Sequence, residues 1–238
     1  MGKYKSKEAE AHCNEAAGNG EQGQDPSDTT YYDKRILFFK KYIARNPDNA
    51  QVYRIMGSFY LRYKQYPEAI AAYEKAIDIK PDFARAYNHM GDAYFQLEQY
   101  PDAFAAYEKA IAIEPDFAYA YYRMAIAYDE LWHYVDAIAA YKKVVALEPD
   151  NAWVYYRMGD AYAKLEKYPE AIAAYAQYVA LKPNVARAYF SIANAYSSLG
   201  QYPEAIAAYK KVKEVEPRGV KFHIAHRRIG EIEAKLPK

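Results

Sequence analysis

The chain has 238 residues, 52% of them apolar, enough to bury a sizeable core and to argue against global disorder. Lys and Arg number 32 against 31 Asp and Glu, a net charge of +1, so the basic excess that drives nucleic-acid binding by counterion release is absent. The single cysteine, Cys13, excludes an intramolecular disulfide and a Cys-cluster zinc site, and without an apolar run of roughly 18 residues to span a bilayer the chain reads as soluble and cytoplasmic.

Residues 1–30 contain GNGEQGQDPSDTT, rich in Gly, Gln and Asp with almost nothing apolar to offset the entropy of ordering, and are expected to form a disordered tail. Gly18, Gly20 and Gly23 spell G-x-G-x-x-G, but no strand precedes them, so the dinucleotide-binding reading fails. Gly2 to Ser6 fits the N-myristoylation pattern, with Lys3, Lys5 and Lys7 as lipid-attracting charges, and membrane attachment is expected only if Gly2 is lipidated. The same short pattern also arises by accident in a polar tail. No apolar signal-peptide core follows these lysines. Residues 31–49 begin YYDKRILFFKKYIAR, apolar at Leu37, Phe38, Tyr42 and Ile43, and are expected to form an N-terminal capping helix.

From there a fixed period organises the chain. Pro47, Pro81, Pro115, Pro149, Pro183 and Pro217 are each separated by 34 residues. Counting position 1 from Ala50, Ala84, Ala118, Ala152 and Ala186 gives five gapless repeats, 50–83, 84–117, 118–151, 152–185 and 186–219. Tyr fills positions 4, 11, 17 and 24 in all five, which accounts for 20 of the 29 tyrosines. The tyrosine excess is therefore mostly architecture. Position 7 is Met56, Met90, Met124, Met158 and Ile192; position 8 is Gly57, Gly91, Ala125, Gly159 and Ala193. Positions 4, 7, 8 and 11 share one helical face, and a small residue at 8 implies a closely approaching neighbour, because Gly inside a helix costs about 1 kcal/mol relative to Ala. Position 20 is always Ala, and with positions 24 and 27 it forms the matching stripe of a second helix. Pro67, Pro101, Pro169 and Pro203, each followed by an acid, suit the first turn of that helix, and Pro at position 32 stops it.

The pattern of a large residue at 4, Gly or Ala at 8, Tyr at 11, Ala at 20, an aromatic at 24, Ala at 27 and Pro at 32 resembles the tetratricopeptide repeat family. It departs at position 27 in Val144, Tyr178 and Val212. The resemblance implies an all-α, right-handed superhelical solenoid of five helix-turn-helix repeats, with the first helix of each lining a concave groove. Residues 220–238, with Val220, Phe222, Ile229, Ile232 and Leu236 among charges, are expected to form a C-terminal solvating helix over the last open face.

No catalytic constellation is present: His223 and His226 lie one turn apart beside Arg227 and Arg228, a solvated basic face, and His12 and Cys13 fall in the tail. There is no H-E-x-x-H, G-x-S-x-G or Walker loop. No enzyme activity, cofactor or metal is expected.

In the family, positions 2, 5, 9, 12 and 13 face the groove, and here they turn aromatic in repeats three and four. Tyr119, Tyr122, Trp153 and Tyr156 form the candidate peptide-binding cluster, of the residue types that dominate binding hot spots, extended by Phe95 and Phe190. Arg85, Arg123, Arg157 and Arg187 flank it; Asp92, Asp129, Glu130, Asp160 and Asn194 supply acidic and polar partners. The family's carboxylate clamp survives only in part, at Arg54, Ser58, His89, Tyr119 and Arg123, so a chaperone-tail ligand is not expected. At the inter-helix turn of repeat three, Trp132, His133 and Val135 replace polar residues and Pro, making Trp132 a candidate edge contact. The expected function is a non-catalytic adaptor or scaffold holding a protein or peptide partner. The alternative is a structural subunit that forms homo-oligomers through edge and terminal-helix surfaces.

Overall fold

The computed structural model describes residues 29–234, with side chains from Tyr31 onward; residues 1–28 of the expected tail and the lipidation site lie outside those residues, whereas Thr29 and Thr30, expected in the tail, belong to the first helix, which ends at Arg45. Every described element is an α-helix: α1 (Thr29–Arg45), α2 (Ala50–Arg62), α3 (Tyr66–Ile79), α4 (Ala84–Gln96), α5 (Tyr100–Ile113), α6 (Ala118–Glu130), α7 (Tyr134–Leu147), α8 (Ala152–Lys164), α9 (Tyr168–Leu181), α10 (Ala186–Ser198), α11 (Tyr202–Val215) and α12 (Val220–Glu233). The fold is an all-α helical repeat. It comprises two compact units that meet inside α6, one ending at Ala120 and one beginning at Tyr121. In the first unit α1 packs on α2, α2 on α3, α3 on α4 and α4 on α5; in the second the same succession runs from α7 to α12. No described helix is long and apolar enough to cross a membrane.

The turns repeat because their chemistry repeats. After α2, α4, α6, α8 and α10 the chain passes through one residue with positive φ: Lys64, Glu98, Trp132, Glu166 and Gly200, at 60°, 60°, 65°, 58° and 72°. The next backbone N–H then reaches back to a carbonyl of the closing helix, as in Gln65 to Tyr60 at 2.9 Å and His133 to Tyr128 at 2.8 Å, which satisfies one of its orphan acceptors. Only Gly200 takes that conformation without a Cβ penalty. For the others it costs on the order of 1–2 kcal/mol, and Trp132 is the bulkiest side chain held there. Proline then opens α3, α5, α9 and α11, followed by Glu68, Asp102, Glu170 and Glu204 at the positive helix end.

Within each pair the close contact is between position 8 and the Tyr at position 24. Tyr73, Tyr107, Tyr141, Tyr175 and Tyr209 are all 2% exposed or less, and the position-20 alanines beside them, Ala69 to Ala205, are wholly buried. A Cβ built on Gly57, Gly91 or Gly159 would stand 2.6, 2.7 or 2.6 Å from the facing ring, which is why these helices tolerate an interior glycine.

The buried face of the first helix of each pair differs from the expected stripe. Positions 3 and 10, such as Val52 and Phe59 or Ala86 and Ala93, are buried, whereas the tyrosines at positions 4 and 11 are half-buried. The reason is that α4 touches both α3 and α5, and α8 both α7 and α9, so one stripe cannot serve both neighbours. The terminal helices bury less: Phe39 of α1 is enclosed by Val52, Ile55 and Phe59, and α12 docks Ala225, Ile229 and Ile232 against the cluster containing Tyr209. Val220, expected to cover the last pair, stands 76% exposed at the start of α12, and Leu236 lies outside the described residues.

Among the described residues two buried polar side chains have nothing to bond, Asn88 and Tyr141. Asn88 on α4 is fully buried and both its amide nitrogen and oxygen lack a partner. An unsatisfied buried polar group costs about 1–3 kcal/mol, and an apolar group of similar shape removes that cost. Asn88→Leu is expected to raise the unfolding free energy by about 1 kcal/mol, read as a higher urea midpoint at unchanged slope. A lower midpoint would show that Asn88 is satisfied in solution.

Candidate functional site

The second unit gathers most of the aromatic and charged residues singled out in the sequence. Trp153, in the first turn of α8, is 53% exposed and sits edge-on to Tyr156 at 6.1 Å, with Tyr178 of α9 5.5 Å away. Tyr156 is only 4% exposed, so it supports the indole from below rather than facing solvent. Its ring meets Tyr175 at 5.4 Å and Tyr178 at 5.3 Å. Its hydroxyl lies 3.3 Å from Ser191 Oγ and accepts from Arg187 Nε at 2.7 Å, and the Arg187 guanidinium also stands 4.6 Å from the ring centroid. That hydrogen bond raises the Arg187 pKa above its ordinary value. An exposed indole is therefore held by buried tyrosines and one arginine, with little rotamer freedom left to lose on binding.

The remaining candidates in this unit form smaller groups. Tyr122 packs against Tyr141 at 6.4 Å, and Arg157, nearly half exposed, pairs with Asp129 at 3.6 Å. Phe190 sits edge-on to Tyr209 at 5.6 Å. Arg123 is half-buried on α6. Burial pushes the Asp160 carboxyl above its ordinary pKa, against the Tyr175 hydroxyl that donates to it at 2.7 Å and the nearby Arg187 and Arg157. Asp129 is likewise raised by burial, with Arg157 opposing and Asp160 adding to the shift. Asn194 accepts from Tyr209 at 2.6 Å.

Four candidates belong to the first unit: Tyr119, Arg85, Phe95 and Asp92. Tyr119 is 44% exposed, edge-on to His89 at 6.3 Å, with His89 in turn stacked on Tyr73 at 6.0 Å. Arg85 is exposed on α4. Phe95 packs on Tyr100 at 5.3 Å.

Position 9 has a role that sequence reasoning missed. In four pairs the residue there accepts a hydrogen bond from the buried position-24 hydroxyl: Tyr73 to Ser58 at 3.2 Å, Tyr107 to Asp92 at 2.9 Å, Tyr175 to Asp160 and Tyr209 to Asn194. In the pair α6–α7 position 9 is Ile126, and the Tyr141 hydroxyl is buried without a partner. The signal was an invariant Tyr column opposite a column of acceptors with one exception. Tyr178 was also missed as a site element; its signal was a large ring where Ala76 and Ala110 stand in earlier repeats.

Among the described residues no group of three or more His, Cys, Asp or Glu gathers to hold a metal ion. The arrangement offers apolar contact, hydrogen bonds and charge, the means of recognition.

Comparison with known proteins agrees with this architecture. A family profile described as TPR repeat matches residues 57–97, 91–131 and 133–165, and one described as Tetratricopeptide repeat matches 156–217. No curated protein sequence matches significantly. Among solved structures, one described as MamA protein is 28% identical over 73% of this chain and 94% of its own, with a TM-score of 0.65. The structure of YrrB, described as a TPR protein with an unusual peptide-binding site, is 21% identical over 79% of this chain and 97% of its own, at 0.66. The C-terminal part of a TPR repeat-containing protein from Cytophaga hutchinsonii is 20% identical over 84% of this chain and 80% of its own, at 0.74. At these last two identities the likeness is one of fold.

Proposed function

Because the chain belongs to the tetratricopeptide repeat family, an interaction scaffold by fold, we propose that it is a non-catalytic cytoplasmic adaptor that holds a partner peptide segment against Trp153. In this reading residues 50–219 are five repeats between an N-terminal capping helix and a C-terminal solvating helix. The observation that carries the proposal is an indole 53% exposed yet fixed by Tyr156, Tyr178 and, through Tyr156, Arg187. Trp is the residue type most enriched at binding hot spots, and a pre-positioned ring binds without paying to be ordered. Arg187 and Arg157 present charge beside it that orients a partner carboxylate or carbonyl. Tyr119 and Arg85 offer a further recognition surface on the first unit.

Trp153→Ala tests this directly, because the exposed ring can be removed without opening the core, whereas Tyr156→Ala would create a cavity. Partners captured from lysate by the wild type are expected to bind the variant at least about thirtyfold more weakly, the ~2 kcal/mol at which a hot spot begins. Capture of every partner at wild-type affinity, with an unchanged melting temperature, would remove Trp153 from the site. A second reading, self-assembly through an edge surface, is favoured by one observation, the exposure of Trp132 at 78%.

A further inference from the structure

The second unit carries two shallow apolar pockets built from the same repeat positions. One, about 260 Å³, is lined by Tyr121, Met124 and Tyr128 of α6 and by Ala139 and Ala140 of α7, with Asp136 and Lys143 also on its lining. The other, about 280 Å³, is lined by Tyr155, Met158 and Tyr162 of α8 with Glu170 of α9. Both fall below the ~300 Å³ at which small-molecule sites begin, so each is sized for one large side chain. Two tyrosine rings and a thioether favour an aromatic occupant, through ring-edge contacts and the sulfur.

The same unit exposes such a side chain. Trp132 is 78% exposed, and Val135, three residues on, is 65% exposed. Neither helps the fold. Trp132 occupies the left-handed turn position where other repeats place Lys64, Glu98, Glu166 and Gly200, and Val135 stands where they place a helix-opening proline. Two apolar residues have displaced residues better suited to the local backbone, in one turn, at the cost of exposing both. His133, between them, stacks on Tyr128 at 6.3 Å, so the protruding indole and the pocket beside Tyr128 share one edge of the unit.

We propose that Trp132 of one copy seats in the pocket formed by Tyr121, Met124 and Tyr128 of a second copy. The contact is reciprocal: knob and pocket are neighbours on the same edge, so a two-fold axis lets each copy fill the other's pocket and closes a dimer. This deepens the self-assembly reading and is independent of peptide binding at Trp153.

Light scattering across concentration on the full chain tests it. The wild type is expected to shift from monomer to dimer as concentration rises, and Trp132→Gly to stay monomeric while melting at the same or a higher temperature, since glycine suits the turn. Met124→Lys is expected to abolish the dimer and Met158→Lys to leave it intact. In case Met124→Lys unfolds the chain, a spectroscopic reading stands beside it. The chain has 2 tryptophans, so Trp153→Phe leaves Trp132 as the sole emitter, and its fluorescence is expected to shift to shorter wavelength as the dimer forms. A strictly monomeric wild type overturns both the inference and the self-assembly reading. A dimer that survives Trp132→Gly, or one in which Trp132 emission does not move, overturns the inference and leaves self-assembly to another surface. Dissociation by Met158→Lys, with Met124→Lys folded and dimeric, overturns the assignment of the pocket.

Discussion

Gly159→Val is expected to destabilise the fold by about 3 kcal/mol, the upper part of the range for inserting methyl groups into a packed core. The first added carbon would stand 2.6 Å from the Tyr175 ring, closer than real Cβ contacts come. Tyr175 cannot swing aside at little cost: it is 2% exposed, its ring packs on Tyr156, and its hydroxyl is bonded to Asp160. Relief therefore requires α8 and α9 to separate, which loosens the neighbouring Ala171 contact too. Helix propensity works the other way, since any side chain improves on glycine by up to about 1 kcal/mol, but it does not offset the clash. Ala125 and Ala193 occupy the same position in other repeats, so Gly159→Ala is expected to cost much less, through a small shift of the helix pair. Gly230 provides the contrast of sign. Nothing lies within 4 Å of a Cβ built there, on the exposed face of α12, so Gly230→Ala is expected to stabilise by up to about 1 kcal/mol. Urea unfolding followed by tryptophan fluorescence separates these outcomes. A Gly159→Val midpoint indistinguishable from wild type would mean that the helix approach is looser than the structure shows.

The period of 34 residues was readable because stacking places each repeat in nearly the same surroundings, so the columns facing a fixed neighbour repeat their residue type. The invariant Tyr at 24 and Ala at 20 are such columns, and both are buried. What the periodicity hid was a consequence of residue size. Positions 3 and 10 are mostly alanine, Ala86, Ala120, Ala188, Ala93, Ala127, Ala161 and Ala195, and so make no visible hydrophobic stripe although they are buried against the neighbouring pairs. Trp153 stood out because Gln51, Arg85 and Arg187 occupy its column, and it is exposed as such a polar column suggests. The burial of Tyr156 was not legible from its own helix. It is imposed by Tyr175 and Tyr178 of α9, and only the large ring at position 27, where Ala76 and Ala110 stand elsewhere, announced it. Asp160 and Asn194 read as polar residues facing a groove; their inward bonds to Tyr175 and Tyr209 emerge only when the two columns are paired across the hairpin.

That pairing predicts opposite results from one chemical change. Tyr175→Phe removes a 2.7 Å donor from a carboxylate held largely out of water, and the expected cost is about 2 kcal/mol, in the range for hydrogen bonds to charged groups. Tyr107→Phe should cost a similar amount, because Asp92 is 5% exposed and accepts at 2.9 Å. Tyr141→Phe should cost nothing or stabilise by up to about 1 kcal/mol, since its hydroxyl is buried with no acceptor and its removal ends a desolvation penalty. Ile126→Asn should reverse that result: with an acceptor at position 9, as Asn194 provides for Tyr209, the Tyr141 hydroxyl gains a partner and Tyr141→Phe becomes costly in that background by about 1 kcal/mol. The double-mutant cycle measures this coupling, and a coupling of zero would sink the pairing rule. The acid dependence carries a further sign. Burial raises the Asp160 pKa while the Tyr175 hydrogen bond lowers it, so losing the hydroxyl raises it further. A carboxyl whose folded pKa exceeds its unfolded value favours the folded state below the unfolded pKa, and that benefit is lost as pH rises through the folded pKa. The cost of Tyr175→Phe should therefore be largest at neutral pH, where Asp160 is ionised, and shrink as pH falls through its raised pKa. Urea midpoints of wild type and variant at neutral and acidic pH give the comparison, and a cost that grows on acidification would assign the Tyr175 hydroxyl to the protonated carboxyl instead.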